Sequence, residues 1–368
     1  MSAFKAFLER KNIVISAKRY GVDALGAMAQ GLFCTLLVGT ILNTIGTQFN
    51  IGFLTDPFIV LNPTAETPVS YTIGGCASAM VGPAMAVAIG AALEAPGLVL
   101  YSLIPVGFAT NLLGGAGGPL AVLVVAIVAA EFGKAVSKET KIDILVTPIV
   151  TILVGIGLAA LIAAPIGAAA SALGQLIMWA TDLQPLLMGI VVSVLVGVAL
   201  TLPISSAAIC AALGLTGLAG GAAVAGCCAQ MVGFAVMSFK ENGWGGLVSQ
   251  GLGTSMLQMP NIVRNPRIWI PPTVASAITG PIATCIFKLQ MNGTPVSSGM
   301  GTCGLVGQIG VYTGWVSDVA SGAKAAITAM DWVGLVLICF VLPGVLSWAI
   351  GLACRKAGWI KDGDLKLD

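Results

Sequence analysis

Between Asn292 and Gln308 the chain reads NGTPVSSGMGTCGLVGQ. Thr294, Ser297, Ser298 and Gln308 set hydroxyls and a carboxamide among glycines that break regular helix. Such groups donate and accept hydrogen bonds without ionising. The chemistry they can do is recognition of a neutral polyhydroxylated solute. Two further candidates stand beside helix-breaking sequence. Asn111 precedes Leu112-Leu113-Gly114-Gly115-Ala116-Gly117-Gly118-Pro119, and Glu94 lies between Gly90-Ala91-Ala92-Leu93 and Ala95-Pro96-Gly97. A carboxylate within a membrane domain is costly and usually functional, so Glu94 is a candidate to face a cavity. Histidine is absent, which removes the commonest proton shuttle and metal ligand. Nine cysteines show no CxxC pairing and read as buried free thiols. The glycine-rich pieces lack the GK[ST] and GxGxxG contexts of nucleotide sites. No catalytic residue, metal or cofactor is expected.

The elements that position these groups belong to a membrane. Hydrophobic residues make up 57% of 368 and charged residues 9%, with a mean hydropathy of +0.99. Soluble domains carry about 25% charged residues. The fold expected is an all-α polytopic membrane protein of about ten transmembrane helices. They are placed at about 26–46, 72–92, 97–112, 119–133, 143–165, 186–203, 221–239, 244–259, 270–288 and 331–354. Polar, glycine-rich backbone survives at membrane depth only when protein or a watery cavity satisfies it. Residues 292–308 are therefore expected to form a re-entrant hairpin.

Charge sets the orientation. With both termini cytoplasmic, all of the seventeen basic residues except Lys240, Lys288 and Lys324 fall inside. The loop from Thr47 to Tyr71 has no Lys or Arg but carries Asp56 and Glu66, which suits the outside. Residues 1–25 form a basic segment in which Phe4, Phe7 and Leu8 recur at helical spacing among Lys5, Arg10 and Lys11. That pattern suits a helix on an anionic inner leaflet. Gly31-x5-Leu37-Val38-Gly39-x2-Leu42 matches Gly189-x5-Leu195-Val196-Gly197-x2-Leu200, and Gly75–Gly82 matches Gly226–Gly233. An odd number of spans between copies implies an inverted repeat over 26–165 and 186–354. An interfacial linker over 166–185 and a cytoplasmic tail over 355–368 complete the domain plan.

The run Thr294-Pro295-Val296-Ser297-Ser298-Gly299-Met300-Gly301, followed by Gly304-Leu305-Val306-Gly307, resembles the stand-alone EIIC-like proteins of the bacterial phosphotransferase system, the EIIC type 2 or PfoR-like family. Gly253-Thr254-Ser255-Met256 and Pro260-Asn261 share in the resemblance. It implies a dimeric carrier in the bacterial cytoplasmic membrane for a sugar or related small polar solute, with an elevator-type motion. Ordinary EIIC components hand their sugar to a phosphorylated IIB domain. This chain has no phosphorylatable histidine and no IIB cysteine loop after the membrane domain, so IIB and IIA partners would be separate proteins. Well-studied sugar EIICs also use a membrane Glu and His, and Glu94 is not matched securely to that Glu. A membrane-embedded ligand-sensing regulator and an ion-coupled secondary transporter are the competing readings. Nucleic acid is not expected as a partner.

Overall fold

The computed structural model describes residues 3–61 and 69–367. Asn62 and Glu66 of the expected outer loop lie outside the described residues, as does the side chain of Phe4. The described chain is almost wholly helical. Its strands, Ile59–Leu61 and Val69–Tyr71, form an antiparallel pair with Ile59 opposite Tyr71, where a plain loop is expected. The chain divides into two compact units, Met1–Gly167 and Ala168–Asp368.

The first unit is a serial up-and-down stack. Its segments are Arg19–Thr47, the bent pair Ile73–Ala79 and Val81–Ala92, then Gly97–Gly114, Gly118–Val136 and the start of Asp143–Thr181. Glycine faces let successive backbones close together, as small residues do between membrane helices. A Cβ on Gly31 would stand 2.7 Å from Ala84 O, and one on Gly39 2.4 Å from Gly74 O. A Cβ on Gly82 would stand 2.3 Å from Gly107 O, and one on Gly133 2.4 Å from Thr151 Oγ1. Within each interface the numbers fall on one side as they rise on the other: Gly31 and Gly39 meet Ala84 and Gly74, Gly82 and Gly90 meet Gly107 and Leu103, and Gly133 and Ala129 meet Thr151 and Gly155, so each neighbour runs antiparallel to the last. Thr72 starts the second segment by accepting from Gly75 N at 3.0 Å.

The second unit is built around Gly217–Met237, whose apolar window is 94% buried. Pro185–Thr201 and Ala329–Lys356 run parallel to this central helix. Cys227 Sγ reaches Val196 O and Thr201 faces Gln230, while Ser347 packs on Gly233 and Gly351 on Met237. Ile270–Pro281 runs antiparallel, with Ser276 donating to Gly226 O and Gln230 to Thr273. Three broken stretches fill the remainder: Ser206–Ala212 with its flanking turns, Phe239–Gln258, and 287–308.

Five described helices are long and apolar enough to cross a membrane, and a sixth if the pair bent by 52° at Met80 counts as one. That count falls short of the ten spans expected, and 244–259, expected as one span, is not one rod. Phe239–Val248 gives way to wide and tight turns over Ser249–Gln258. Both its flanks lie against the segment after the last helix. Lys240 Nζ sits 3.1 Å from Asp362 Oδ2, and Asn265 Nδ2 donates to Trp359 O at 3.0 Å. Lys240, expected opposite the C-terminal segment, is thus on its side. The stretch enters and returns at one end of the unit.

The repeat read from glycine motifs does not survive packing. In the first unit the matched segments run antiparallel, Gly31 by Ala84 and Gly39 by Gly74. In the second they run parallel, Ser193 by Gly226 and Thr201 by Gln230. No single rotation relates an antiparallel pair to a parallel one. Residues 166–181, expected in a linker, continue the 39-residue helix Asp143–Thr181. The segment after Lys356 is no loose tail, because Ile360 and Leu365 are buried.

The N-terminal helix Ala3–Arg10 is clasped as well. Arg10 pairs with Glu139 at 2.8 Å, Lys11 pairs with the same carboxylate, and Lys11 also donates to Ser137 O. The ammonium of Lys11, hydrogen-bonded to Glu139, holds that carboxyl below its ordinary range. A depressed carboxyl pKa means the clasp is present at neutral pH, weakens below about pH 4.3, and is lost as pH falls through the depressed value. Glu139→Gln should speed trypsin cleavage after Arg10 and Lys11 several-fold at pH 7.5. An unchanged cleavage rate would show that the clasp does not hold the helix.

Packing makes a second prediction. A Cβ on Gly226 would stand 1.9 Å from Ser193 O, whereas one on Gly157 meets nothing within 4 Å. Gly226→Ala should cost at least ~1–3 kcal/mol through overpacking. Gly157→Ala, within a helix, should gain up to about 1 kcal/mol. Thermal unfolding in detergent separates the two, with a fall in melting temperature for the first only.

Candidate functional site

Three interruptions of regular helix converge beside the middle of the central helix. The first is the turn from Thr201 to Ser206, where Pro203 lacks an N–H and Ser205 caps Ser206–Ala212 by accepting from Ala208 N at 3.2 Å. The second is Ser249–Ser255. The third is Pro295–Leu305, where Gly301, Gly304 and Leu305 take φ of 53°, 50° and 60°. Leu305 pays the steric cost that glycine avoids there.

The three breaks are tied pairwise. Thr201 Oγ1 and Ser255 Oγ lie 2.7 Å apart. Ser206 Oγ donates to Gly299 O at 2.7 Å. Thr302 Oγ1 donates to Gly251 O and lies 3.6 Å from Met231 Sδ of the central helix. All of Ser297 to Cys303 is buried, and the N–H groups of Ser297, Gly299, Met300 and Cys303 donate to carbonyls within the hairpin, so protein takes up part of the demand that low-dielectric surroundings impose.

The structure divides the predicted residues. Ser297 and Ser298 are buried, and Ser298 Oγ donates to Leu215 O at 2.6 Å. Thr294 is exposed at the hairpin's rim, its hydroxyl 2.9 Å from Ser297 Oγ. Gln308 is 7% exposed; its Nε2 donates to Cys228 Sγ at 3.2 Å, while its Oε1 is buried with no hydrogen-bond partner. An unmade hydrogen bond at such an acceptor costs roughly 1–3 kcal/mol. It is the one carboxamide of the hairpin core with an acceptor to spare.

Glu94 and Asn111 belong to the other unit. Glu94 is exposed in the turn between Ala92 and Gly97, at φ 55°, and accepts from Asn12 Nδ2 at 2.6 Å. It shares an open cavity of about 390 Å³ with Arg10, Lys11, Lys134 and Lys138, among the basic residues at the end of the stack. Lys134, almost fully covered, pairs with Glu131 at 2.9 Å and donates to Leu93 O and Asn12 O. Glu94 thus faces a cavity, but an open one lined by charge, from a short exposed turn. Asn111 is half-buried and packs against Gly82 and Gly118.

Sequence reasoning passed over Thr201, Ser206, Ser255 and Thr302. The signal was present in Pro203-Ile204-Ser205-Ser206 and Gly251-Leu252-Gly253-Thr254-Ser255, polar and helix-breaking islands in apolar sequence. A second missed group is a chain of buried carboxamides. Gln258 Nε2 donates to Gln250 Oε1 at 2.9 Å, Gln250 Nε2 to Ser238 Oγ at 2.8 Å, and Asn261 Nδ2 to Gln258 Oε1 at 2.8 Å. The chain ends on Leu365 O and Lys366 O of the C-terminal segment. Asn261, which shares in the family resemblance, is a buried member of it. Among the described residues no group of His, Cys, Asp or Glu could hold a metal ion.

A protein-family model described as "Phosphotransferase system, EIIC" matches residues 22–367. No curated protein and no solved structure matches the chain. EIIC domains work with IIA and IIB partners on sugar substrates. With nearly the whole length matched and long apolar helices in both units, the chain belongs to the phosphotransferase-system EIIC family and is an integral membrane permease of that type.

Proposed function

We propose that this permease carries a sugar or closely related neutral solute, bound where the three helix breaks meet. Ser297, Ser298 and Gln308 contact the solute, with Thr294 at the entrance. The observation that carries this reading is the Oε1 of Gln308, a buried acceptor left without a donor. A solute hydroxyl is a donor of the right kind. The surrounding Ser and Thr hydroxyls can rotate to donate or accept as the solute requires. Glu94 is left out, given its exposed place beside Asn12. Separate IIB and IIA proteins supply phosphoryl transfer, and the carrier is a homodimer of the elevator type.

The orientation proposed has both termini cytoplasmic. Its support is charge: Lys240 joins the cytoplasmic side through Asp362, leaving Lys288 and Lys324 as the basic residues outside. The 287–308 hairpin is re-entrant from outside, and Phe239–Gln258 is re-entrant from inside. On a cysteine-free background, a cysteine replacing exposed Asp56 should react with an impermeant maleimide in whole cells, and one replacing exposed Lys141 only after lysis. The converse pattern would reverse the orientation.

The binding site makes its own prediction. Ser298→Ala should weaken binding of the transported sugar several-fold, since one neutral hydrogen bond contributes ~0.5–1.5 kcal/mol. Ser298→Leu should abolish uptake. Gln308→Leu should abolish binding while leaving thermal stability equal or higher, because it removes an unsatisfied buried acceptor. Loss of stability with unchanged binding would make Gln308 a packing residue and sink the site.

A further inference from the structure

An open cavity of about 320 Å³ lies at the mouth of the 287–308 hairpin, which the proposed orientation puts outside, and its lining does not include the buried cluster. Its size is at the lower end of small-ligand pockets, ~300–1,000 Å³. It sits by the start of the central helix, since Leu289 O of its wall presses on Gly221. The C-terminal segment touches the other end, at Lys240.

The lining has three kinds of surface. Phe287 and Trp315 supply aromatic wall; Trp315 is held edge-on by Trp332, ring centroids 5.6 Å apart. Gln290, Asn292 and Asp318 supply planar polar groups. Asn292 Nδ2 donates to Asp318 Oδ2 at 2.8 Å, and Asp318 Oδ1 has no bond among the described residues. Lys288, Lys324, Asp318 and Asp331 balance in charge. Lys324 is fixed over the Trp315 ring, its Nζ 5.9 Å from the centroid and 2.8 Å from Asp331 Oδ1. The Thr328–Asp331 capping box holds that carboxylate in place.

We propose that this cavity is a capture site for a neutral polyhydroxylated solute, occupied before the solute reaches Ser298 and Gln308; the order of the two steps rests on the function proposed above, but binding at the cavity does not. Adjacent hydroxyls suit the lining because each both donates and accepts. One hydroxyl donates to Asp318 Oδ1, and its neighbour accepts from the Gln290 amide or the Lys288 ammonium. The C–H face of the solute packs on the Phe287–Trp315 wall. A net-neutral lining gives an ionic solute no surplus charge to pair with, so sugar phosphates and uronates are disfavoured.

Detergent-purified protein titrated with D-glucose, D-galactose, D-fructose, D-mannitol and D-glucitol, followed by tryptophan fluorescence, tests this. Glucose 6-phosphate and glucuronate serve as charged controls. At least one neutral probe should give a saturable change. Asp318→Asn should weaken it about tenfold or more, because a hydrogen bond to a charged group is lost. Gln290→Ala, at an exposed position, should weaken it several-fold without affecting folding. Trp315→Phe should remove most of the signal. Ser298→Leu should keep the signal while blocking uptake, which separates failure of this site from failure of the interior one. No response from any neutral probe would overturn the proposal. So would a response confined to the charged controls, or one unaltered in both Asp318→Asn and Gln290→Ala.

Discussion

The second unit depends on how closely other backbones approach Gly217–Met237. At Gly221 the space for a Cβ is taken by Leu289 O, and at Gly226 by Ser193 O. At Gly233 it is taken by Ser347 Oγ. Lipid offers no hydrophobic drive between helices, so contact has to come from such small-residue faces and from hydrogen bonds. Three glycines on one helix therefore fix what surrounds it: the wall of the cavity at Leu289, the parallel helix Pro185–Thr201, and the last helix. The breaks can converge at this helix because it is itself continuous and almost entirely covered.

Broken helices need that rigid backing. Each interruption frees backbone N–H and C=O groups that the membrane cannot solvate. Here hydroxyls of Thr201, Ser206, Ser255 and Thr302 take up part of that demand, two of them by donating to backbone carbonyls. The breaks satisfy one another instead of being satisfied by their own helices. The arrangement leaves one acceptor over, on Gln308.

The sequence was legible where local chemistry decides. Gly301 and Gly304 read as breaks and adopt positive φ; Thr294, Ser297, Ser298 and Gln308 read as solute contacts, and of these Ser297, Ser298 and Gln308 are buried while Thr294 is exposed. Sidedness was less legible. Residues 244–259 are apolar enough to pass for a span, and what turns them back is distant: Gln258 bonds Leu365 and Lys240 meets Asp362. No window of local hydropathy contains those partners. The glycine motifs that looked like a repeat carry no direction, and direction is what separates the two units. Glu94 shows the same limit, since a carboxylate beside Pro and Gly reads alike in a cavity and in an exposed turn.

The docked C-terminal segment has a consequence for synthesis. Gln258 takes its partner from Leu365, 107 residues later in the chain. At ~5–20 residues per second, that gap lasts roughly 5–20 s on the ribosome. Throughout it, Asn242, Gln258 and Asn261 lack the carbonyls that later complete them. The nascent unit must hold these amides in water or against a chaperone, and cannot settle into its low-dielectric place until the final stretch arrives. Insertion of this unit is therefore not strictly in chain order: an early segment waits at the surface for a late one, and the two go home together.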